Sequence, residues 1–499
     1  MLKNGIFQEQ KCQNDPYFYS SYKHYNFKIV ILKKKIHLRI RLILIDIFGN
    51  IFKLLIFFNI FGLVFGISLQ QLSKQQKVII LGSWLGWALD GYDLVLMLFV
   101  ISSINQLFFP SNDPSLSLLA TFATYVVTLI MRPFGGAFFG NFGDKYGRKN
   151  AMIITITGFS LVTFLTGLLP TWQSVGILAP ILLLIIRFLQ GFFAGGEWGS
   201  GAVISMESSP KPLRGLLSGF VQSGFTFGFL LASISFQITQ FVFPDDKFIE
   251  IGWRVLFFTG IIPGLVALFV RLKMNESQVW IKKVKEKKIA KIPLKNVLSN
   301  KDNRKRFFLS LIVMTGLMFS YYISIGFLPT LLEKYVKLER QEVASIMIVT
   351  IIFSLIGHLF TGFISQYIGR LKILTIFGIA SLIVAIPSLN GIFTASNIFE
   401  IALYTSLFVF FVSSGFGPMP AFLSERFPTE IRNSAAGFVY NGGLLIGSWA
   451  PLIAITLLSY FEKSNIAQYY AVAINVIIAS IILIVGSKVN PDTRNVDLG

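Results

Sequence analysis

Glu207-Ser-Ser-Pro-Lys-Pro-Leu-Arg214 and Glu425-Arg-Phe-Pro-Thr-Glu-Ile-Arg432 share the pattern Glu-x-x-Pro-x-x-x-Arg at a constant offset of 218 residues. Each copy follows one long apolar run and precedes another. Proline ends the first helix, and the flanking charges mark a boundary with water. A charged hinge between membrane helices therefore occurs twice, and the chain reads as two related halves.

Composition supports this. A mean hydropathy of +0.68 with 14% charged residues is too apolar for a water-facing surface. The net charge of +20 would suggest nucleic acid in a soluble chain, but here Lys and Arg fall in short loops between apolar spans, so no nucleic-acid partner is expected. The single cysteine, Cys12, rules out an intramolecular disulfide, and three scattered histidines, His24, His37 and His358, form no metal pattern. No Gly-rich nucleotide loop ending in Lys-Ser or Lys-Thr is present, and no nucleophile motif suggests an enzyme. No cofactor is expected, and a proton gradient is the expected energy source.

At about 20 apolar residues per crossing, twelve spans are predicted at 78–104, 117–139, 151–170, 178–206, 215–240, 253–272, 307–332, 341–364, 372–393, 399–423, 434–459 and 466–487. This gives an all-α membrane protein of two six-helix bundles, 77–272 and 307–487. They are joined by a basic linker, 273–306, and followed by a tail, 488–499. Loops holding Lys145, Arg148, Lys149, Lys211, Arg214, Arg370, Lys372, Arg426 and Arg432 alternate with loops poor in Lys and Arg. The positive-inside rule puts the basic set, and both ends of the core, in the cytoplasm of a plasma-membrane protein. Residues 1–76 stand apart. Their apolar stretch 51–68 contains Lys53 and Asn59, and no methionine lies between Met1 and Met97. They read either as an interfacial or signal-like extension or as translated upstream sequence.

A second repeat places Gly140, Asp144, Gly147 and Arg148 after the second span, and Gly362, Gln366, Gly369 and Arg370 after the eighth. Lys149 follows the first copy directly. The glycines permit close approach and a tight turn, and the charges can latch onto neighbouring helix ends. Gln366 in place of an acid predicts a weaker latch in the second copy. The arrangement resembles the signature loop of the major facilitator superfamily, which implies two bundles rocking about a central site. Within it, Trp87-Ala-Leu-Asp-Gly-Tyr-Asp93, Arg187-Phe-Leu-Gln-Gly191, Gly195-Gly-Glu-Trp198, Arg214-Gly-Leu-Leu-Ser-Gly219 and Gly252-Trp-Arg254 are most similar to the sialate and monocarboxylate proton symporters. Aromatic-acid and other metabolite symporters share parts of the set. The seventh span departs from the lactate permeases of that group: Pro329-Thr330 is kept, but Met318, Tyr322, Ile325 and Gly326 stand where their polar residues fall.

Asp90, Asp93, Arg132, Arg187 and Glu197 lie well inside predicted spans of the first half, away from their ends, against His358 alone in the second. Each unpaired charge at a helix centre costs about 2.5 to 3.5 kcal/mol on insertion scales, so pairing or protonation is required. Depth counted at about 1.5 Å per residue groups Asp90 and Asp93 with Arg187, and Glu197 with Arg132. The family resemblance implies Asp93, opposite Arg187, as the leading proton site. Proton coupling is thus assigned to Asp93, Asp90 and Glu197, and substrate binding to Arg187, Arg132, Tyr321, Tyr322 and Asn441. A cytoplasmic gate is expected from Gly140, Asp144, Gly147, Arg148, Lys149, Glu207, Arg214, Gly362, Arg370, Glu425 and Arg432. The function expected is proton-coupled symport of a small organic anion by a monomer in the lipid bilayer. A proton-coupled sugar transporter and a passive facilitator or exchanger are the alternatives.

Overall fold

The computed structural model describes residues 72–110, 114–244, 246–286, 293–464 and 466–498, with backbone only at 114–120, 122, 123 and 340. The expectations for residues 1–71 lie outside the described residues. Ser73 opens the first crossing with a capping box: its hydroxyl accepts from the Gln76 amide, and the Gln76 side chain answers at the Ser73 amide.

The crossings are α1 (Lys74–Phe99), α2 (Pro114–Tyr146), α3 (Arg148–Leu168), α4 (Leu178–Ser208), α5 (Arg214–Val242) and α6 (Phe248–Leu272). The second half repeats them as α7 (Lys301–Tyr335), α8 (Arg340–Ile368), α9 (Arg370–Thr394), α10 (Ile398–Arg426), α11 (Arg432–Lys463) and α12 (Tyr469–Val489). Eleven of these are long and apolar enough to cross a membrane by length and composition among the residues searched. The 33-residue α2 supplies the twelfth crossing. The chain is an all-helical membrane protein of two six-helix bundles.

Several helices outrun the apolar windows that predict them. α2 continues to Tyr146, seven residues past the expected end at 139, because a polar turn costs little where a helix leaves the bilayer. Gly147 then turns at φ +106°, and the repeat's second copy does the same at Gly369, φ +117°. Both angles suit glycine, so α2–α3 and α8–α9 are joined by single-residue corners.

Backbone contact sets the charged residues in place. A Cβ on Gly191 or Gly195 of α4 would run into the carbonyls of Thr128 or Arg132 on α2, so the two helices meet backbone to backbone beside Arg132. α5 meets α1 in the same way, with Gly228 against the Ala88 carbonyl. Between halves, α2 packs on α11 and α5 on α8. These two pseudo-equivalent seams run along the latch repeats.

Candidate functional site

Arg132 and Asp90 form a two-pronged ion pair between α2 and α1. Nη1 donates to Oδ2 at 2.9 Å, and Nη2 pairs with Oδ1. Both side chains are buried, and Tyr125 and Tyr322 lie within electrostatic reach of the guanidinium. Depth counting had set Arg132 against Glu197. The structure pairs Arg132 with Asp90 instead, and Glu197 with Arg271, a span-end arginine that depth counting left out.

Asp93, one turn beyond Asp90, has neutral partners. Thr163 of α3 donates to Oδ1 at 2.7 Å, and the Gln190 amide of α4 donates to Oδ2. Arg187, expected to pair with it, instead donates to the Thr166 hydroxyl at 3.2 Å and lies 5.5 Å from the Phe257 ring centroid. No ion pair joins Asp93 to Arg187 among the described residues.

Glu197 is held by Arg271, the penultimate residue of α6. Nη1 donates to Oε2 at 2.8 Å and Nη2 pairs with Oε1, while Thr155 of α3 donates to Oε2 at 2.9 Å. Arg271 also donates to the Met152 carbonyl at 2.7 Å and the Gly82 carbonyl at 3.3 Å, so it ties α1, α3, α4 and α6 together. A Cβ on Gly86 would overlap this pair, which explains a glycine in mid-α1. Away from the latch end, the buried acids Asp90, Asp93 and Glu197 are thus accompanied by the buried arginines Arg132, Arg187 and Arg271.

At the latch end, the repeated elements pair crosswise. Glu207 accepts from Arg432 at 2.6 Å, and Glu425 accepts from Arg214 at 3.2 Å. Each glutamate also takes the signature-loop arginine of its own half, Arg148 at 3.4 Å and Arg370 at 3.0 Å. Asp144 crosses the seam as well. It accepts from the amides of Asn433 at 3.1 Å and Ser434 at 2.8 Å, and from the Ser434 hydroxyl at 2.6 Å, where α11 exposes unpaired N–H groups. Gln366 makes the matching bond to the Gly215 amide of α5 at 3.1 Å, with one amide and no charge.

Two segments after the bundles complete the latches, and the sequence reading missed both. Glu276 accepts from the Lys149 amide at 3.0 Å and Ser277 bonds Glu207. In the other half, Asp492 accepts from the Arg370 amide at 3.0 Å and Thr493 donates to Glu425 at 2.8 Å. The signal was an acid followed by a hydroxyl residue after the sixth and twelfth spans. Burial pushes the Glu276 carboxyl above its ordinary value, while the Ser277 and Lys149 amides oppose the shift. Replacing Glu207 and Glu425 together by glutamine should loosen the seam. In a Cys12→Ser background, a hydrophilic maleimide should label Ala436→Cys, buried in α11, at least about tenfold faster, a loss of about 1.4 kcal/mol from the closed state. An unchanged rate would remove the latch role.

Of the expected binding residues, Asn441 reaches across the seam, donating to the Gly195 carbonyl at 2.9 Å. Tyr321 and Tyr322 lie at the π-helical turn of α7, their rings edge to face at 5.4 Å. His358 of α8 bonds Thr226 of α5 at 3.2 Å through Nδ1. Beside them stands Tyr440, which sequence reading passed over. Its ring stacks on Trp198 at 3.6 Å, and its hydroxyl accepts from Gln222 at 3.0 Å.

Two helical bundles closed by crosswise ion pairs, with buried charge pairs inside the first, are the frame of a membrane transporter. The chain belongs to the major facilitator superfamily, whose family model, Major Facilitator Superfamily, matches residues 79–451 and 310–496. It is 30% identical over 418 residues to the inner membrane metabolite transport protein YhjE of Escherichia coli (strain K12), covering 83% of this chain and 94% of that one. It is likewise 30% identical to the proline/betaine transporter of the same organism, covering 81% and 82%. These relatives are named as metabolite and proline/betaine transporters and do not single out the sialate and monocarboxylate group that the motifs resemble. Among solved structures, the proton:xylose symporter XylE bound to 6-bromo-6-deoxy-D-glucose shares the fold, with a TM-score of 0.68 at 18% identity over 85% of this chain and 98% of that one.

Proposed function

We propose that this secondary transporter moves a small carboxylate-bearing solute together with protons by alternating access, acting as a monomer in the plasma membrane. The latch end and both termini of the twelve-helix core face the cytoplasm in this reading, which the basic loops support. Arg132 receives the substrate carboxylate in exchange for Asp90, since a guanidinium fork serves either carboxylate equally well. Asp93 carries the coupled proton.

The observation that carries this reading is the setting of Asp93. It is a buried carboxylate with two neutral donors and, among the described residues, no cation at ion-pair distance. An ionised acid there bears a desolvation cost that a proton removes, and moving the bundles past it is easier once the charge is gone. The relatives named for proline and betaine support a small carboxylate-bearing solute.

The test is uptake of labelled mono- and dicarboxylates, sialate, aromatic acids, proline, betaine and hexoses into proteoliposomes, with and without an imposed pH gradient. Acid outside should drive accumulation of a carboxylate. Asp93→Asn should abolish that accumulation, at least about tenfold, and keep counterflow exchange. Gradient-driven uptake by this variant at the wild-type level would sink the assignment.

A further inference from the structure

Five aromatic rings close into a circuit where the two bundles meet. Successive centroids run from Trp87 to Phe225 at 5.0 Å, to Tyr321 at 5.8 Å, to Phe416 at 6.1 Å, to Tyr440 at 6.2 Å, and back to Trp87 at 5.7 Å. The rings come from α1, α5, α7, α10 and α11, so each half contributes. A circuit with steps of this size keeps its middle within about 6 Å of every ring, the range over which a cation is attracted to an aromatic face.

The circuit is held from behind. Gln222 donates to the Tyr440 hydroxyl at 3.0 Å and accepts from Trp198 Nε1 at 3.1 Å, while Trp198 stacks on the Tyr440 ring. These bonds fix one wall in orientation, which apolar filling alone does not require.

The charged pair adjoins it. Trp87 and Asp90 are one turn apart on α1 and share a face. Asn441, next to Tyr440, bonds the carbonyl of Gly195, the glycine packed on the Arg132 backbone. Two buried donors at this place lack a partner among the described residues, Trp87 Nε1 and Arg132 Nε. Both are N–H groups, and both suit a carboxylate oxygen.

We propose that the aromatic circuit is a subsite for an alkylated ammonium group, and that the substrate is a compact zwitterion whose carboxylate lies against Arg132 and Trp87 Nε1. The proposal rests on the reading of Arg132 as the carboxylate anchor. Aromatic faces attract a quaternary or secondary ammonium and give a carboxylate nothing, whereas the N–H donors do the reverse. A short substrate with both groups uses the whole site. Because the rings belong to both bundles, an ammonium seated among them also draws the halves together, linking occupancy to rocking.

The test compares two probes of the same shape, glycine betaine and 3,3-dimethylbutanoate, in which carbon replaces the cationic nitrogen. Equilibrium binding of each to the full-length protein in lipid nanodiscs should favour betaine at least about tenfold. Tyr440→Leu should erase that preference and leave the affinity for 3,3-dimethylbutanoate within about threefold, while Trp87→Phe, which keeps a ring but loses the indole N–H, should weaken both probes alike and retain the preference. Equal or tighter binding of 3,3-dimethylbutanoate, or no binding of betaine, overturns the subsite, and the carboxylate reading then stands or falls on the uptake panel. Tight betaine binding without gradient-driven uptake upholds the subsite and removes the proton-coupled reading.

Discussion

Arg132→Ala should reduce uptake at least about a hundredfold, a loss of about 2.7 kcal/mol or more at the binding step. The guanidinium is the group proposed to exchange Asp90 for the substrate carboxylate, and the other buried arginines of this bundle are engaged elsewhere, Arg148 and Arg214 in the latches, Arg271 with Glu197 and Arg187 with Thr166. The substitution also strands Asp90. Removing one partner of a buried ion pair costs about 3 to 5 kcal/mol, because the remaining charge is left without compensation. Loss of transport could then reflect loss of fold, so a second variant is needed. Asp90→Asn with Arg132→Gln removes both charges and keeps two hydrogen-bonding side chains of similar size. It should be recovered from membranes at near wild-type yield and still fail to transport. Transport by this pair above about a tenth of the wild-type rate would show that Arg132 is structural.

Much of the fold was legible because membrane helices follow rules that act on the sequence directly. Span length, alternation of basic loops and two displaced repeats are enough to fix twelve crossings and two halves. The latch residues were legible for the same reason, since Glu207, Arg214, Glu425 and Arg432 recur at one offset. What the repeat could not disclose is that its members pair across the halves, Glu207 with Arg432 and Glu425 with Arg214. A local pattern records composition and spacing, and the partner is chosen by the packing of α2 on α11 and of α5 on α8.

The five charges expected inside the first half are all buried, but their pairing differs from the expected one and includes Arg271, which sequence reading missed. Depth counting ranks residues by height alone, whereas the partner is chosen by which helices face each other, α1 and α2 for Asp90 with Arg132 and α4 and α6 for Glu197 with Arg271. Arg271 escaped notice because it ends a span and was counted with the basic linker. A long side chain at a helix end can reach back into the bundle, as this one does to the Gly82 carbonyl. Of the aromatic circuit only Tyr321 stood out in the sequence, since Trp87, Phe225, Tyr321, Phe416 and Tyr440 come from five helices and resemble core filling one at a time.

Arg271→Ala should then be among the most damaging single changes in the first bundle. Its guanidinium compensates Glu197 and serves the carbonyls of Met152 and Gly82, so truncation leaves a buried carboxylate held by Thr155 alone. The expected cost is about 3 to 5 kcal/mol. Unfolding of a large membrane protein is usually irreversible, so the measurable quantity is the thermal half-life in detergent, which should shorten at least about tenfold. Glu197→Gln should be milder, since the amide still accepts from Arg271 and Thr155. Glu197→Gln with Arg271→Met should be more stable than Arg271→Ala alone, because no charge is then left uncompensated. The same variants separate the two readings of Glu197. As a fixed tie between α4 and α6, it can lose its charge and leave pH-driven accumulation intact in the double variant. As a proton carrier, its replacement by glutamine would abolish accumulation at normal stability. Helices α1, α3, α4 and α6 all converge on this one pair, and the overlap a Cβ on Gly86 would create leaves the guanidinium no room to swing away. The geometry therefore favours the tie, and accumulation should survive.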